Sequence, residues 1–414
     1  MKEQDFTRNR KQPFAATLLF MLNSLRKSLA IEIDGFIRHL KGHLALGDSG
    51  RFTSSAFIQN RQKINPAIFS RLSEVIVENF YTADNDTQRR LHGFRVLAVD
   101  GSTIMLPFTT ELKECYGVTK NQHNTGVVKA RVSVLYDVLN GIALDAVLEN
   151  LNKGERELAL RHGCRWSKGD LVMYDRGYPS FDFIYQHVKH GIDCLIRVAA
   201  NYSAVVSDFV DGGKRSAIVA ICPGKNVSFE DKEYGRHSEL KVRLLRIDLP
   251  SGETEVLMTT LTDSRKYPAG LFKELYFLRW GVETFYDELK NKLKVEYFSG
   301  YSKISIQQDF FCAIFISNLQ SVIVNDLEEE LVLQNEGRMY DYQVNTNLSY
   351  GFLKNRILDL LHKDAPLDDI FTELESLFLK NTVPIRNGRH NLRNIDKYKL
   401  RKKPKVTKNQ RDAI

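Results

Sequence analysis

Two short apolar runs, each followed at once by an aspartate, constrain the fold more than any other feature of this chain. Residues 96–99 precede Asp100, and residues 171–174 precede Asp175. An unbroken apolar run of this length is typical of a buried strand in a sheet that is covered on both faces. Because open α/β sheets bind ligands at the carboxyl ends of their strands, both carboxylates are predicted to face one crevice. For either aspartate alone, a turn at the end of a strand is the common structural alternative.

The segments around these runs predict a mixed α/β sheet. Residues 130–139 and 142–148 form two further strands around Asn140-Gly141, which is a strong hairpin turn. Helices are then predicted over residues 155–162 and 181–190, and a strand over residues 194–198. Three hairpin-connected strands followed by alternating helix and strand place the chain in the α/β class.

The length of the chain and the changes in residue pattern along it predict several regions. A chain of 414 residues suggests two or three domains. The predicted regions are a helical N-terminal domain at 1–92, an α/β core at 93–199 and 263–328, a β-rich insertion at 200–262, and a helical C-terminal region with a basic tail at 329–414.

The charge balance points to a polyanionic partner. The net charge is +8 and the isoelectric point is about 9.0, which suits nucleic acid or an acidic membrane surface. Residues 386–411 contain many lysines and arginines and one acid, Asp396. We expect a loosely held tail that contacts phosphates without reading sequence, although such tails are often only solvated charge.

A possible helix-turn-helix lies near the N-terminus. Residues 54–63 predict a short helix with a Ser or Thr cap, and Asn65-Pro66 can cap and open a second helix. Arg61 and Lys63 are then candidate DNA contacts. Any small helical hairpin has the same pattern, so DNA contact and a purely structural hairpin both remain open.

The cysteines and the N-terminal apolar run predict a cytoplasmic protein without a membrane partner, and a nucleic-acid partner would make it nucleoid-associated. Five scattered cysteines contain no C-x-x-C pair, which fits reduced thiols better than a disulfide framework or a zinc site. Residues 14–22 are apolar and follow a basic stretch, as in a signal peptide. The apolar periodicity continues beyond them as a helix, and the run is too short to span a bilayer.

The third candidate acid is predicted on a helix over residues 267–295. At about 100° per residue, Tyr276, Arg279, Glu283 and Lys290 fall within one arc of about 60° beside the apolar stripe. Arg279 and Glu283 could equally form an ordinary surface i,i+4 pair. Asp287 lies on nearly the same face, so spacing alone does not choose between Glu283 and Asp287.

Three carboxylates together require a counter-charge. Hard oxygen ligands suit Mg²⁺ or Mn²⁺, and two such ions can activate an attacking hydroxyl and stabilise the leaving oxygen at a phosphodiester. Arg279 and Lys290 would add positive charge toward the phosphate, and Tyr276 could donate a hydrogen bond to it.

These motifs together resemble a known family. Asp100-Gly-Ser-Thr, Asp175-Arg-Gly-Tyr and Tyr276-x2-Arg279-x3-Glu283-x6-Lys290 are similar to the motifs of bacterial insertion-sequence transposases of the DDE type, the group with a Tyr-Arg-Glu-Lys signature. The resemblance covers almost the whole chain, and its motifs are strongest in the core.

The resemblance implies a ribonuclease H-like core with metal held by Asp100, Asp175 and Glu283. It implies cut-and-paste movement of double-stranded DNA: a nick at the element's terminal inverted repeat, a hairpin formed by the freed 3′-hydroxyl, reopening, and strand transfer to target DNA. It also implies a homodimer on paired ends that cuts in trans. Arg197, at a strand end, is a further candidate DNA contact, with a structural ion pair as the alternative.

One departure from the family concerns an aromatic residue. A tryptophan of the insertion stacks on a flipped base in a relative, whereas the tryptophans here, Trp166 and Trp280, lie outside residues 200–262. Tyr202, Phe229 or Tyr234 could stack instead.

Two other functions remain possible. A ribonuclease H-like nuclease would share the three acids and lack strand transfer. A catalytically inactive DNA-binding relic would bind ends without cutting, although all three acids and their Tyr, Arg and Lys partners are present. A nucleotide-driven enzyme is disfavoured because the chain has no G-x-x-x-x-G-K-[ST] loop.

Overall fold

The computed structural model describes residues 5, 12–23, 27–41, 52–82, 84–120, 126–225, 227–248, 253–361 and 366–385. The basic tail predicted over residues 386–411 lies outside these described residues.

Helices dominate both ends of the described chain. The α-helices are α1 Phe14–Leu22, α2 Leu29–Lys41, α3 Ser54–Arg61, α4 Ala67–Phe80, α5 Thr110–Tyr116, α6 Glu155–Arg161, α7 Phe181–His190, α8 Ala204–Asp211, α9 Leu271–Phe277, α10 Trp280–Asp287, α11 Lys303–Asp326, α12 Glu328–Asn335, α13 Thr346–Leu360 and α14 Leu367–Lys380. A 3₁₀ helix follows α6 at His162–Arg165, and a π-helical turn follows α10 at Glu288–Lys292.

Strands dominate the middle of the chain. They are β1 Arg95–Met105, β2 Val118–Lys120, β3 Gly126–Asp137, β4 Ile142–Glu149, β5 Asp170–Tyr174, β6 Asp193–Val198, β7 Ser216–Ile221, β8 Leu240–Asp248, β9 Thr254–Thr259, β10 Tyr342–Val344 and β11 Thr382–Pro384. The hairpin, helices and strands predicted between residues 130 and 198 are therefore confirmed.

The main sheet is mixed, as the sequence predicts. Its strand order is β2-β3-β1-β5-β6-β9-β8-β7, and β4 pairs with β3. The β3–β4 hairpin is antiparallel, whereas β1, β5 and β6 run parallel to one another. All five residues of β5 are buried, which explains its unbroken apolar run.

The interval predicted as an insertion continues this sheet. Strand β9 pairs antiparallel with β6, and β8 and β7 follow in order. Residues 200–262 are thus β-rich, as expected, but their strands extend the core sheet through main-chain hydrogen bonds. Sequence patterning could identify the strands and could not show which edge they pair with.

The chain divides into two compact units that cut across the predicted domains. The sheet unit comprises Arg89–Thr103 and Arg131–Tyr286, and the helical unit comprises Met1–Gln88, Ile104–Ala130 and Asp287–Ile414. The helical regions at the two ends of the chain, predicted as separate domains, belong to one unit.

The predicted helix over residues 267–295 is broken. Between α9 and α10 the amides of Leu278, Arg279, Gly281 and Val282 bond to carbonyls three residues back, and after α10 the Leu293 amide bonds five residues back to Glu288. These tighter and wider turns change the angle per residue. The prediction that Lys290 shares an arc with Tyr276 therefore rested on a regular helix that the chain does not form.

The predicted hairpin of helices near the N-terminus is confirmed as α3 and α4. The Thr53 side chain accepts a hydrogen bond from the Ala56 amide at 3.2 Å and caps α3. Asn65 accepts from the Ala67 amide at 3.0 Å, where Pro66 opens α4. Local capping thus sets both helix starts.

In the described part of the chain, no single helix is long and apolar enough to cross a bilayer, and α11 with α12 has that length and composition only as a pair bent by 53°.

Candidate active site

The two aspartates lie level with each other on neighbouring parallel strands. Arg95 of β1 pairs with Asp170 of β5, so the same register carried forward from 95 to 100 and from 170 to 175 brings Asp100 and Asp175 side by side. Strand β1 continues past Asp100 to Met105, so this aspartate lies within a strand and not at its end as predicted. Parallel strands are about 4.8 Å apart, so both carboxylates belong to one site at the edge of the paired region.

Arg197 of β6 lies level with Asp100 and Asp175, so the three residues form a row across neighbouring strands. Tyr174 of β5 pairs with Ile196 of β6, so Asp175 is level with Arg197. The Arg197 Nε donates to Asp175 Oδ1 at 2.9 Å, and its Nη1 donates to Glu255 of β9 at 2.5 Å. Of the two alternatives for Arg197, the structure thus shows the ion pair. Glu255 is an acid of this site that the sequence analysis missed.

Helix α10 is held against β1 and the β3–β4 hairpin. The Tyr286 hydroxyl donates to the Asp100 carbonyl at 2.7 Å, and the Phe285 ring stacks on Tyr136 with centroids 4.5 Å apart. At Gly281 a Cβ atom would come within 3.2 Å of Val138 Cγ1, so glycine allows the helix this close approach. These contacts fix the start of α10 relative to Asp100.

Glu283 faces the aspartates through a shared arginine. Arg279 Nη2 donates to Glu283 Oε1 at 2.9 Å, and Arg279 Nη1 lies 4.0 Å from Asp100 Oδ2. Arg279 is only 2% exposed, so its pair with Glu283 is not an ordinary surface ladder. The rival acid Asp287 is exposed and accepts a hydrogen bond from Asn291 at 2.6 Å. The geometry therefore favours Glu283 as the third acid.

Tyr276 is buried beside the row. Its hydroxyl donates to the Tyr174 carbonyl at 3.3 Å, and the Arg279 guanidinium lies 5.7 Å from its ring centre. Burial raises the pKa of Tyr276, and the Asp175 carboxylate adds to that rise. In this arrangement Tyr276 supports the strand end that carries Asp175.

A cavity of about 610 Å³ opens beside these arginines. Arg197 and Arg279 form part of its wall, together with the exposed rings of Phe277 and Trp280.

Among the insertion aromatics, Tyr234 is buried and its hydroxyl donates to Asp182 at 3.1 Å. Its ring contacts Phe181 and Tyr185, with centroids 4.8 and 4.9 Å away, so the free protein does not expose this ring to a base, and stacking by Tyr202 or Phe229 stays a prediction.

Burial dominates the ionisation of Asp100. It raises the pKa of this carboxyl to about 6; the Gly101 amide and Arg279 oppose the rise, while Glu283 and Asp175 add to it. The negative charges of Glu283 and Asp175 thus make ionisation of Asp100 less favourable. A cation bound among them would lower this pKa.

The pKa of Asp100 predicts how stability depends on pH in EDTA. The folded carboxyl ionises near pH 6 and the unfolded one near 3.8, so between these values the folded state holds more protons. Stability conferred by this group therefore falls as pH rises from about 4 to 6, by about 3 kcal/mol. We expect Asp100→Asn to flatten this slope and to unfold at higher urea concentration at pH 7. Urea titrations of both proteins at several pH values test this, and parallel pH profiles would contradict it.

The remaining predicted contacts lie in the helical unit. Lys290 is in the π-helical turn, where burial lowers its pKa while Glu296 and Asp287 act in the opposite direction. Lys63 is half-buried, and its ammonium donates to Asn60 at 3.3 Å.

The prediction that Arg61 contacts DNA is wrong. Its side chain is fully buried, and it donates to Gln308 at 2.8 Å, Ser299 at 2.5 Å and Asp309 at 2.8 Å. A guanidinium enclosed in this way cannot reach a phosphate without unfolding its surroundings.

Glu155 and Arg131 form a further ion pair near the aspartates. Arg131 Nη1 donates to Glu155 Oε1 at 2.5 Å. A Cβ atom at Gly101 would lie 3.0 Å from Glu155 Cγ, and one at Gly177 would lie 4.0 Å from Glu155 Oε2. The glycines that follow the two aspartates thus leave room for the Glu155 carboxylate. Glu155 was not predicted from the sequence as a site residue.

The acids suit a divalent cation by chemistry, but they are not gathered around one point. Asp100, Asp175 and Glu283 offer only oxygen ligands, as Mg²⁺ and Mn²⁺ prefer. Within the described ranges, no three His, Cys, Asp or Glu side chains lie close enough together to hold one ion. Arg197 and Arg279 hold two of the carboxylates instead. Binding one ion with all three acids would require these carboxylates to leave their arginine partners.

The chain is similar to known proteins. Residues 91–319 match the family described as the transposase DDE domain. The chain is 22% identical over 241 residues to the transposase InsG for insertion sequence element IS4 of Escherichia coli (strain K12), a match that covers 58% of this chain and 53% of that protein. The chain thus spans about half the length of this relative.

A solved structure is also similar. The cryo-EM structure of a piggyBac transposase synaptic complex with hairpin DNA superposes with a TM-score of 0.44 and 9% identity, covering 95% of this chain and 81% of that one. The matched family region contains all three candidate acids and extends over more than half of the chain. The protein therefore belongs to the family defined by the transposase DDE domain.

Proposed function

We propose that this protein is a DNA transposase that cleaves the ends of an insertion sequence and joins them to target DNA by cut and paste. The observation that carries the proposal is the placement of Asp100 and Asp175 side by side on neighbouring strands of the sheet unit. Glu283 is linked to them through Arg279, which donates to Glu283 and lies 4.0 Å from Asp100. Membership of the transposase DDE domain family supports it.

The proposed cofactor is Mg²⁺ or Mn²⁺, as two ions held by Asp100, Asp175 and Glu283. When bound, these ions would neutralise the acids and supply the charge that phosphodiester cleavage requires. A carboxylate has more than one acceptor site, so each acid can exchange its arginine for another partner. In the protein without metal, Asp175 and Glu283 are therefore held in ion pairs with Arg197 and Arg279.

The released arginines would then act on DNA. Arg279 Nε is already buried without a hydrogen-bond partner among the described residues, so this guanidinium has unused donor capacity. A phosphate oxygen accepts such a donor, and a guanidinium can bind phosphate through two bonds. We propose that Arg279 and Arg197 contact the scissile phosphate region, with Tyr276 supporting them and Lys290 and Lys63 contacting phosphates elsewhere.

The proposal also covers partners and location. The protein would bind double-stranded DNA at terminal inverted repeats and at the target. It would act as a homodimer on paired ends, through a hairpin intermediate, in the cytoplasm on the nucleoid. The helical N-terminal region and the basic tail are proposed to bind DNA, which agrees with the net charge of +8.

A cleavage assay tests the proposal and separates it from its alternatives. Purified protein is incubated with a labelled DNA fragment that carries the end of its own element, in Mg²⁺, Mn²⁺ or EDTA, and products are resolved on a denaturing gel. We expect metal-dependent nicking at the end, then a hairpin-sized product, then transfer to target DNA. Cleavage without transfer would identify a nuclease, and end binding without cleavage in either metal would identify an inactive relic.

A further inference from the structure

Tyr178 stands at the end of the strand that carries Asp175. Its amide donates to the Asp175 carbonyl at 3.1 Å, which closes a tight turn directly after β5. Its ring packs between Tyr174 and Phe183, with centroids 5.3 and 5.9 Å away. The backbone turn and these two rings fix the position of the side chain.

The hydroxyl of this fixed side chain has no hydrogen-bond partner among the described residues. Tyr178 is only 2% exposed, and its oxygen is buried. Other buried tyrosines of the sheet unit are satisfied: Tyr174 bonds to His187 at 2.9 Å, and Tyr286 donates to the Asp100 carbonyl at 2.7 Å. A buried hydroxyl without a partner is costly, so its retention calls for an acceptor that arrives with a ligand.

The surroundings of Tyr178 belong to the proposed active site. The charged groups whose fields act on its hydroxyl are Asp100, Glu155, Asp175 and Arg131. Glu155 lies against Gly101 and Gly177, next to both aspartates, and is held by Arg131. Burial and these carboxylates raise the pKa of Tyr178, so the phenol stays protonated and remains a donor.

We infer that the Tyr178 hydroxyl donates a hydrogen bond to a non-bridging oxygen of the DNA phosphodiester held beside Asp100 and Asp175. This makes Tyr178 a substrate-contacting residue of the proposed transposase reaction, on which the inference rests. A phosphate oxygen suits the position because it is an anionic acceptor, and a neutral donor among acids attracts such an acceptor without adding charge.

The test compares Tyr178→Phe with wild type in the free protein and during cleavage. We expect the midpoint of urea unfolding to stay the same or rise, because the substitution removes an unsatisfied group. The single-turnover cleavage rate on element-end DNA in Mg²⁺ is expected to fall by roughly 10- to 100-fold, as for loss of a hydrogen bond to a charged group. A purely structural tyrosine would show the opposite pattern.

Tyr174→Phe is the matched control. Its hydroxyl is equally buried in β5 but already bonds to His187 Nε2, so removing it takes the partner from that nitrogen, whereas Nδ1 keeps its bond to the Phe183 carbonyl. We expect this variant to unfold at lower urea concentration and to cleave at a rate within about threefold of wild type per folded molecule.

Phosphorothioate substrates give a second readout. Sulfur accepts hydrogen bonds weakly, so replacing the contacted non-bridging oxygen should slow wild type more than Tyr178→Phe for one of the two stereoisomers. Equal thio effects in the two proteins, or unchanged cleavage by Tyr178→Phe, would overturn the inference. Failure of wild type to bind or cut the DNA would instead overturn the proposed function, so the two outcomes are distinguishable.

Discussion

Glu283→Gln is expected to abolish DNA cleavage, with a loss of about 1000-fold or more, while binding of element ends stays within about twofold of wild type. Glu283 lies on α10, where its carboxylate accepts from Arg279 and acts on Asp100. Glutamine keeps the size of the side chain and one acceptor oxygen for Arg279. It loses the charge that would hold a divalent ion.

The measurement combines single-turnover cleavage in Mg²⁺ with a gel-shift titration in Ca²⁺. Asp287→Asn is the matched control, because it removes one carboxylate from the same helix at an exposed position. We expect Asp287→Asn to cut at a rate close to wild type. Normal cleavage by Glu283→Gln, together with loss of cleavage in Asp287→Asn, would show that Asp287 and not Glu283 is the third acid.

A metal readout makes the same experiment independent of activity. If Glu283 holds an ion, wild type should gain stability toward urea when Mg²⁺ or Mn²⁺ is added, and Glu283→Gln should gain less. The shift must be compared at one pH above 7, where Asp100 is ionised in both proteins. An equal gain in both proteins would count against Glu283 as a ligand.

Arg61→Ala is expected to destabilise the protein by about 3–5 kcal/mol, the usual cost of removing one partner of a buried ion pair. The Arg61 guanidinium joins the end of α3 to the start of α11 through Gln308, Ser305 and Asp309. Gln308 in turn donates to the carbonyls of Arg61 and Ile64 at 2.9 and 2.7 Å, so the end of α3 depends on the same cluster. Removing the arginine takes its positive charge from Asp309, which keeps neutral donors such as the Ser299 amide and hydroxyl, and takes one donor each from Gln308 and the Ser305 carbonyl.

Lys63→Ala separates this structural role from DNA contact. Lys63 is half-buried next to the same helix end, so its loss should change stability by about 0.5 kcal/mol or less. If Lys63 contacts phosphate, the slope of log affinity against log salt should fall by about one. Urea unfolding and salt-dependent gel shifts are measured on both variants. An Arg61→Ala protein with normal stability and weakened DNA binding would restore Arg61 as a phosphate contact.

Much of the candidate site follows from local sequence, because strands and caps are local. The apolar runs before Asp100 and Asp175 predict buried neighbouring strands, and the parallel register then brings the two acids level. The caps at Thr53 and Asn65, which begin α3 and α4, also follow from short-range hydrogen bonds. Spacing left Glu283 and Asp287 open as the third acid, and the resemblance to the family signature selected Glu283.

Helix geometry was only partly predictable. The i,i+4 spacing of Arg279 and Glu283 predicts their contact, since four residues span about one turn. The breaks on either side of α10 do not follow from the apolar periodicity. They accompany packing of α10 on the sheet, where Tyr286 bonds to Asp100 and Gly281 approaches Val138.

By itself, then, the sequence determined the fold class and the buried strands that precede Asp100 and Asp175, because these depend on the periodicity and hydrogen bonding of near neighbours. The tertiary structure alone decided that Arg61 is a buried anchor, that β9 pairs with β6, and that Glu155 lies beside Gly101. The partners of Arg61 are about 240 residues further along the chain. Whether an arginine faces solvent or a buried carboxylate depends on such distant packing, and no local pattern encodes it.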